Sequence, residues 1–289
     1  MPTSPDTRII TPTLLADWAL PDVGEGKKSR GTVLVIGGAR FTPGAVLLAG
    51  EAALRAGAGR LQLAATESTA AALSIAVPEA LVAGLPETEG GSVRGDVPEP
   101  TLQLAADADV VVLGPGLDHL EETATLMRGV LGAIGDETTV VLDAYALGAL
   151  SHDPGLVAGC ADRCVLTPNA TEAEHLLDRD LEDDLDVEAV RIAEAYGTVV
   201  SLRGHIASPD GRAWRDESGD VGLGTSGSGD AGAGVVAGLL ARGADPAQAA
   251  CWATHVHAMA GRRLRNKFGR VGFLARELVD EIPATIDSL

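Results

Sequence analysis

Residues 222–234 read GLGTSGSGDAGAG, six glycines around the single acid Asp230, and the apolar run VVAGLLARG follows at once. Glycines let main-chain N–H groups come close to a ligand, and N–H groups at a helix start bind anions without a cationic side chain. A carboxylate in such a loop does not suit a phosphate. It does suit the removal of a proton from a hydroxyl that attacks the phosphate. Phosphoryl transfer needs both functions, donors for the phosphates and a base for the acceptor alcohol. Asp230 also fits a plain N-terminal cap that favours the helix dipole, and both readings stand at this point. The pattern Gly-x-Gly-x-x-Gly occurs twice, at 222–227 and 227–232. It lies late in the chain, whereas a dinucleotide fold carries it after its first strand, and the stretch near CWATHVH (251–257) offers no acid for a ribose, so that fold is excluded. No Gly-x4-Gly-Lys-Ser/Thr occurs, which excludes a P-loop.

Three further polar residues sit where apolar runs end. Asn169 and Glu172 in TPNATE (167–172) are spaced to meet at one site and suit a hydrated magnesium ion, which prefers oxygen ligands. The same spacing describes a helix capping box, and the two roles are compatible. Asp143 closes VVLDA and is a second candidate for metal or water binding, with a capping role as the plain alternative. His255 and His257 lie two apart on an apolar helix, so they face different directions and core or surface placement is favoured over a metal site. Cys160, Cys164 and Cys251 match neither a disulfide framework nor zinc spacing and read as small buried side chains. Trp252 and Met259 read as packing residues.

The elements that must position these groups alternate in type. TVLVIGG (32–38), RLQLAA, DVVVLGPG, TVVLDA, CVLTP and GTVVSLRG are short apolar strands, each followed by helix-like sequence such as GAVLLAGEAALRAG (44–57). That order predicts an α/β fold, a three-layer α/β/α sandwich around a mainly parallel sheet, with ligands collecting at the strand C-termini. HIASPDGRAWR (205–215) predicts a β-hairpin, and beyond Asp230 the chain is nearly all helical with breaks at 243–246 and near Gly269. The acidic run DRDLEDDLDVE (178–188) reads as a solvated surface connection; it lacks the central glycine of an EF-hand loop. With no linker or internal repeat, residues 1–289 read as a single domain.

Composition narrows the partners. Lys+Arg total 22 against Asp+Glu 41, a net charge of −19, so nucleic-acid backbones and anionic membranes are repelled. Lys27, Lys28 and Lys267 are the only lysines, so a phosphate ligand must be held by local donors. Aromatic residues make up 3% of the chain against 46% hydrophobic, so the core is built from Ala, Val and Leu. No signal peptide or membrane-length apolar run is found, and a cytoplasmic location is expected.

With these residues in hand, the chain resembles the ribokinase-like superfamily and, within it, the ADP/ATP-dependent NAD(P)H-hydrate dehydratases. The resemblance rests on the order and spacing of TVLVIGGARFTPGA, VPEALV, LGPGL, VVLDAYAL, LTPNATEAEHL, GTSGSGDAGAGVVAGLLARG and GRVGFLARELVDEIP. It implies a ribokinase-like fold and a repair reaction on NADH or NADPH hydrated at C6 of the nicotinamide ring. The hydroxyl of the S-epimer would take a phosphoryl group from ADP or ATP with Mg2+, and phosphate would then be eliminated. ADP is the expected nucleotide. By position, Ala45, Gly116, Asn169 and Asp230 match residues that contact the hydrated cofactor. Gly227, Gly229 and the stretch Arg203, Gly204, His205, Ile206 and Ala207 match nucleotide-binding positions, with Asp230 as base and Glu172 and Asp143 toward the metal. A homo-oligomer, a tetramer, is also implied. The chain departs from the family in Arg203 where lysine is usual, Asn169 where histidine is usual, and Tyr145 where a second acid is common. A small-alcohol kinase of the same fold and a catalytically inactive nucleotide-binding regulator are the alternative readings.

Overall fold

The apolar runs become strands buried on both faces, and side-chain alternation divides the interior into two halves. In a computed structural model describing residues 5–22, 26 and 29–289, the strands are β1 (Thr7–Ile9), β2 (Thr32–Ile36), β3 (Arg60–Thr66), β4 (Ala80–Leu85) and β5 (Val110–Leu113). They continue with β6 (Thr139–Leu142), β7 (Cys164–Leu166), β8 (Val199–Leu202), β9 (His205–Ala207) and β10 (Ala213–Arg215). Lys27 and Lys28 lie outside the described residues. Along β2, Val33 and Val35 enter one core while Leu34 and Ile36 enter the other. Such two-sided burial is the signature of a parallel sheet covered by helices.

The strands join in the order β1-β10-β9-β8-β7-β6-β5-β2-β3-β4. Every neighbouring pair is parallel except the two that involve β9, so the expected hairpin forms, with Ala207 opposite Ala213. The helices are α1 (Pro12–Asp17), α2 (Pro43–Arg55), α3 (Glu67–Ala76), α4 (Glu99–Ala106), α5 (Leu120–Leu131) and α6 (Tyr145–His152). After them come α7 (Ala170–Leu177), α8 (Leu185–Tyr196), α9 (Ser228–Ala241), α10 (Pro246–Phe268) and α11 (Ala275–Ile286). Helices α2, α9, α10 and α11 bury their apolar faces on one side, and α5, α6, α7 and α8 on the other. This is the three-layer α/β/α sandwich expected from the alternation.

Two local expectations change. The acidic run at 178–188 is not wholly solvated: α8 begins at Leu185, and Asp186 and Glu188 are buried within it. Glu188 receives Arg179 at 2.6 Å and Arg191 at 3.0 Å, while Asp186 receives His205 and Arg215, so arginine pairing holds both acids inside. Strands β1 and β4 were not expected either. The first has three residues, and the second is an edge strand of Ala, Leu, Val and Gly with weak β-preference.

Helix α9 carries the glycine-rich motif, and its position depends on how closely it approaches α2. A Cβ on Gly234 would lie 2.1 Å from the Ala49 carbonyl oxygen, and one on Gly238 2.4 Å from that of Ala53. The two backbones therefore touch where any side chain would separate them. In an exposed helix Gly→Ala is stabilising. Here Gly234→Ala is expected to destabilise by about 3 kcal/mol, through overpacking against main chain, as read by denaturant unfolding.

Candidate functional site

Five polar or glycine-rich loops lie along one edge of the sheet because β2, β5, β6, β7 and β8 are mutually parallel. They are the segments after β2 (Gly37-Gly38), β5 (114–116), β6 (Asp143), β7 (167–169) and β8 (Arg203-Gly204). The start of α9 supplies a sixth group. Its N-cap is Gly227 at φ 84°, left-handed backbone that glycine adopts without strain. A Cβ there would also strike Leu48 at 2.5 Å.

Asp230 is the third residue of α9 and does not cap it; the N-cap position is held by Gly227 without a side-chain hydrogen bond. Ser228 N–H donates to the Thr225 carbonyl and Ala231 N–H to that of Gly227. Among the described residues, the N–H groups of Gly229 and Asp230 make no hydrogen bond, and the Asp230 carboxylate has neither a hydrogen bond nor an ion pair. Burial pushes the Asp230 carboxyl above its ordinary value, which makes it a better proton acceptor. Free N–H donors and an unpaired base thus stand in one helical turn.

Asp143 is buried and accepts a hydrogen bond at 2.9 Å from the Thr167 hydroxyl. Burial, then the charges of Glu172 and Asp230, push its carboxyl up to about 7, against the hydrogen bond from Thr167. Glu172 is raised by burial as well, with Asp230 adding to the effect. Three carboxylates from β6, α7 and α9 therefore sense one another. Thr167 was not singled out from sequence; the register Leu142↔Leu166 places it beside Asp143, one residue past each strand. Ala144, between Asp143 and α6, sits at φ 50° and ψ −124°, a conformation that costs an alanine about 1–3 kcal/mol.

Asn169 and Glu172 form the capping box of α7. Asn169 Oδ1 accepts from Glu172 N–H at 3.0 Å, and Glu172 Oε2 accepts from Asn169 N–H at 2.9 Å. The box uses one oxygen of each side chain, leaving the Asn169 amide N–H2 and Glu172 Oε1 to other ligands. Among the described residues no three His, Cys, Asp or Glu side chains gather as a metal cage. Magnesium takes one or two carboxylates and completes its shell with water and phosphate oxygens, so Glu172 and Asp143 fit an ion brought with a nucleotide. Gly116, in the loop after β5, meets Ala45 in the first turn of α2: a Cβ on Gly116 would lie 3.0 Å from the Ala45 Cβ and 2.5 Å from the Thr42 carbonyl oxygen.

Arg203 and Gly204 are the two central residues of the tight turn joining β8 to β9, at φ 50° and 95°. Positive φ at both positions is the hairpin turn that matches strand twist, and it normally selects Asn-Gly. Arg203 is exposed at this tip. His205 Nδ1 donates to the Asp186 carboxylate at 2.6 Å, while Ile206 and Ala207 are buried in the sheet, so their side chains do not reach the loops. Tyr145 is 44% exposed at the start of α6. His255 and His257 face different neighbours, Asp216 and Ser228, as their spacing required.

A family profile described as NAD(P)H-hydrate dehydratase matches residues 33–284. The ADP-dependent (S)-NAD(P)H-hydrate dehydratase of Xanthomonas campestris pv. campestris is 44% identical over 99% of this chain and 99% of its own. The chain spans about half the length of the bifunctional NAD(P)H-hydrate repair enzymes it also matches. Among solved structures, a ribokinase-like superfamily protein from Enterococcus faecalis superposes with a TM-score of 0.82 at 22% identity, covering 98% of this chain and 96% of that one. The ADP/ATP-dependent NAD(P)H-hydrate dehydratase of Bacillus subtilis, co-crystallized with ATP/Mg2+, gives 0.79 at 26% identity, covering 98% and 99%.

The raised carboxyl of Asp143 has a consequence for stability. Its folded value of about 7 lies above the ordinary 3.8, so between these values the folded chain holds a proton that the unfolded chain has lost. Stability from this group is complete below about pH 4 and is lost as pH rises through about 7. Urea unfolding in chelator is expected to show Asp143→Asn with a weaker fall in stability across this window than the unmutated chain. Parallel pH profiles for the two would overturn the assignment.

Proposed function

The chain belongs to the NAD(P)H-hydrate dehydratase family, and on that premise we propose that it is a nucleotide-dependent hydro-lyase restoring NADH or NADPH from their C6-hydrated forms. The substrate class and nucleotide dependence follow from its likeness to the Xanthomonas and Bacillus enzymes. The local geometry supports the same reading through one observation: the half-buried Asp230 carboxylate, without a partner among the described residues, stands beside N–H groups that are also free.

In the proposed reaction Asp230 removes the proton from the C6 hydroxyl as its oxygen attacks the terminal phosphoryl group of ADP or ATP. The N–H groups of Gly229 and Asp230 receive the charge that develops on the transferred group, and Arg203 holds phosphate from the hairpin tip. The C6–O bond then breaks as the ring nitrogen pushes out phosphate, and the adjacent ring carbon loses its proton, giving NAD(P)H. Mg2+ would neutralise nucleotide phosphate charge, held by Glu172 with Asp143. Ala45, Gly116 and Asn169 line the side given to the hydrated cofactor. We place ADP ahead of ATP and the S-epimer ahead of the R-epimer, following the Xanthomonas relative. A small-alcohol kinase is disfavoured by the extent of that likeness.

The test is to incubate the chain with hydrated NADH, Mg2+ and either nucleotide and follow the return of NADH absorbance. Restoration with ADP, accompanied by AMP and phosphate, is expected; a stable phosphorylated product without it would identify a kinase. Asp230→Asn is expected to lower kcat by about 1000-fold, the scale of a lost general base, while nucleotide affinity changes by less than about threefold. A near-normal rate in that variant would remove Asp230 from the chemistry.

A further inference from the structure

Helix α10 is almost entirely apolar where it crosses the sheet, with Ala249, Ala250, Cys251, Trp252, Ala253, Val256, Ala258 and Ala260 buried. Three polar residues interrupt it within one turn, and each is bonded to a different element. The Thr254 hydroxyl meets that of Ser201 on β8 at 3.0 Å. His255 Nδ1 meets Asp216 Oδ2 at 2.5 Å, with the two side chains only 5% and 2% exposed. His257 Nε2 meets the Ser228 hydroxyl at 3.1 Å.

Neither histidine ends at a passive partner. Asp216 follows β10, and its N–H donates at 2.8 Å to the carbonyl of Gly204, inside the turn that displays Arg203. Its carboxylate also accepts the N–H of Ser218. Burial would raise that carboxyl, but the hydrogen bonds from His255 and Ser218 outweigh it and hold it below its ordinary value. Ser228 is the first residue of α9, two positions before Asp230. Burial pushes His257 down to about 4, against its contact with Ser228, so it acts there as a neutral imidazole. At 100° per residue, side chains two apart on α10 point to nearly opposite sides. One turn of helix thus reaches both the hairpin tip and the glycine-rich loop.

We propose that His255 and His257 are positioning residues for nucleotide, His257 fixing the start of α9 through Ser228 and His255 fixing the Arg203-Gly204 turn through Asp216. The two loops that hold nucleotide phosphate then keep one spacing, because both are tied to the same turn of α10. Packing alone does not call for this arrangement, since an apolar side chain of similar volume fills the space without burying a polar group. The inference rests on the reading of these loops as the nucleotide site.

Four variants test it: His257→Leu and His255→Leu remove the bonds, while His257→Gln and His255→Asn carry an amide nitrogen to the place of Nε2 or Nδ1. Each is assayed for turnover, for direct ADP binding and for Tm. Both leucine variants are expected to raise KM and Kd for ADP about tenfold, with KM for the hydrated cofactor unchanged in His255→Leu and the amide variants recovering most of the loss. Adding Ser228→Ala to His257→Leu is expected to cost nothing further, since the two share one bond. Leucine and amide variants that bind ADP equally well at either position, or a His255→Leu variant that weakens hydrate and nucleotide alike, would overturn the joint role while the proposed activity stands. An unmutated chain that binds no ADP would instead overturn the underlying function, and this inference with it.

Discussion

The seating of α9 on α2 decides where everything else in the site stands. Gly234 and Gly238 let the two helices meet main chain to main chain, and the Gly227 turn then directs α9's free N–H groups toward the strand ends. The sheet contributes by keeping β2 and β5 through β8 parallel, so that their following loops share one edge. A helix displaced from α2 would carry Asp230 and its neighbouring donors away together. Packing of small residues is therefore a condition for the proposed chemistry, not a background to it.

Charge is arranged with similar economy. A chain of net charge −19 places three mutually repelling carboxylates at one site and pairs few cations with them. Burial raises Asp143, Glu172 and Asp230, and the charge of a neighbouring acid adds to it at Asp143 and Glu172. Two buried acids elsewhere, Asp186 and Glu188, have instead been given arginines and serve structure. The contrast separates the two uses of a buried carboxylate within a single protein.

Much of this was legible in sequence because it is local. Strands with apolar residues on both faces, the Ser208–Gly211 turn, and the Asn169–Glu172 spacing each carry their own signal. The capping box formed as its spacing allowed, whereas Asp230 turned out not to cap its helix, since Gly227 occupies that place. What sequence did not show depends on partners far along the chain. Asp186 and Glu188 look like any surface acids until Arg179, Arg191, His205 and Arg215 are seen around them. His255 and His257 look like isolated polar residues of an apolar helix, and only the fold brings Asp216 and Ser228 to them.

Arg203 sits in a left-handed conformation where a turn of this type normally takes asparagine. Asparagine or glycine there relieves backbone strain, so a search for heat-resistant variants scored on folding alone will tend to select that replacement. It would enrich sturdier molecules that have discarded the guanidinium at the hairpin tip. With Arg203 in its proposed role of holding phosphate, selection for robustness and selection for turnover pull this one position in opposite directions.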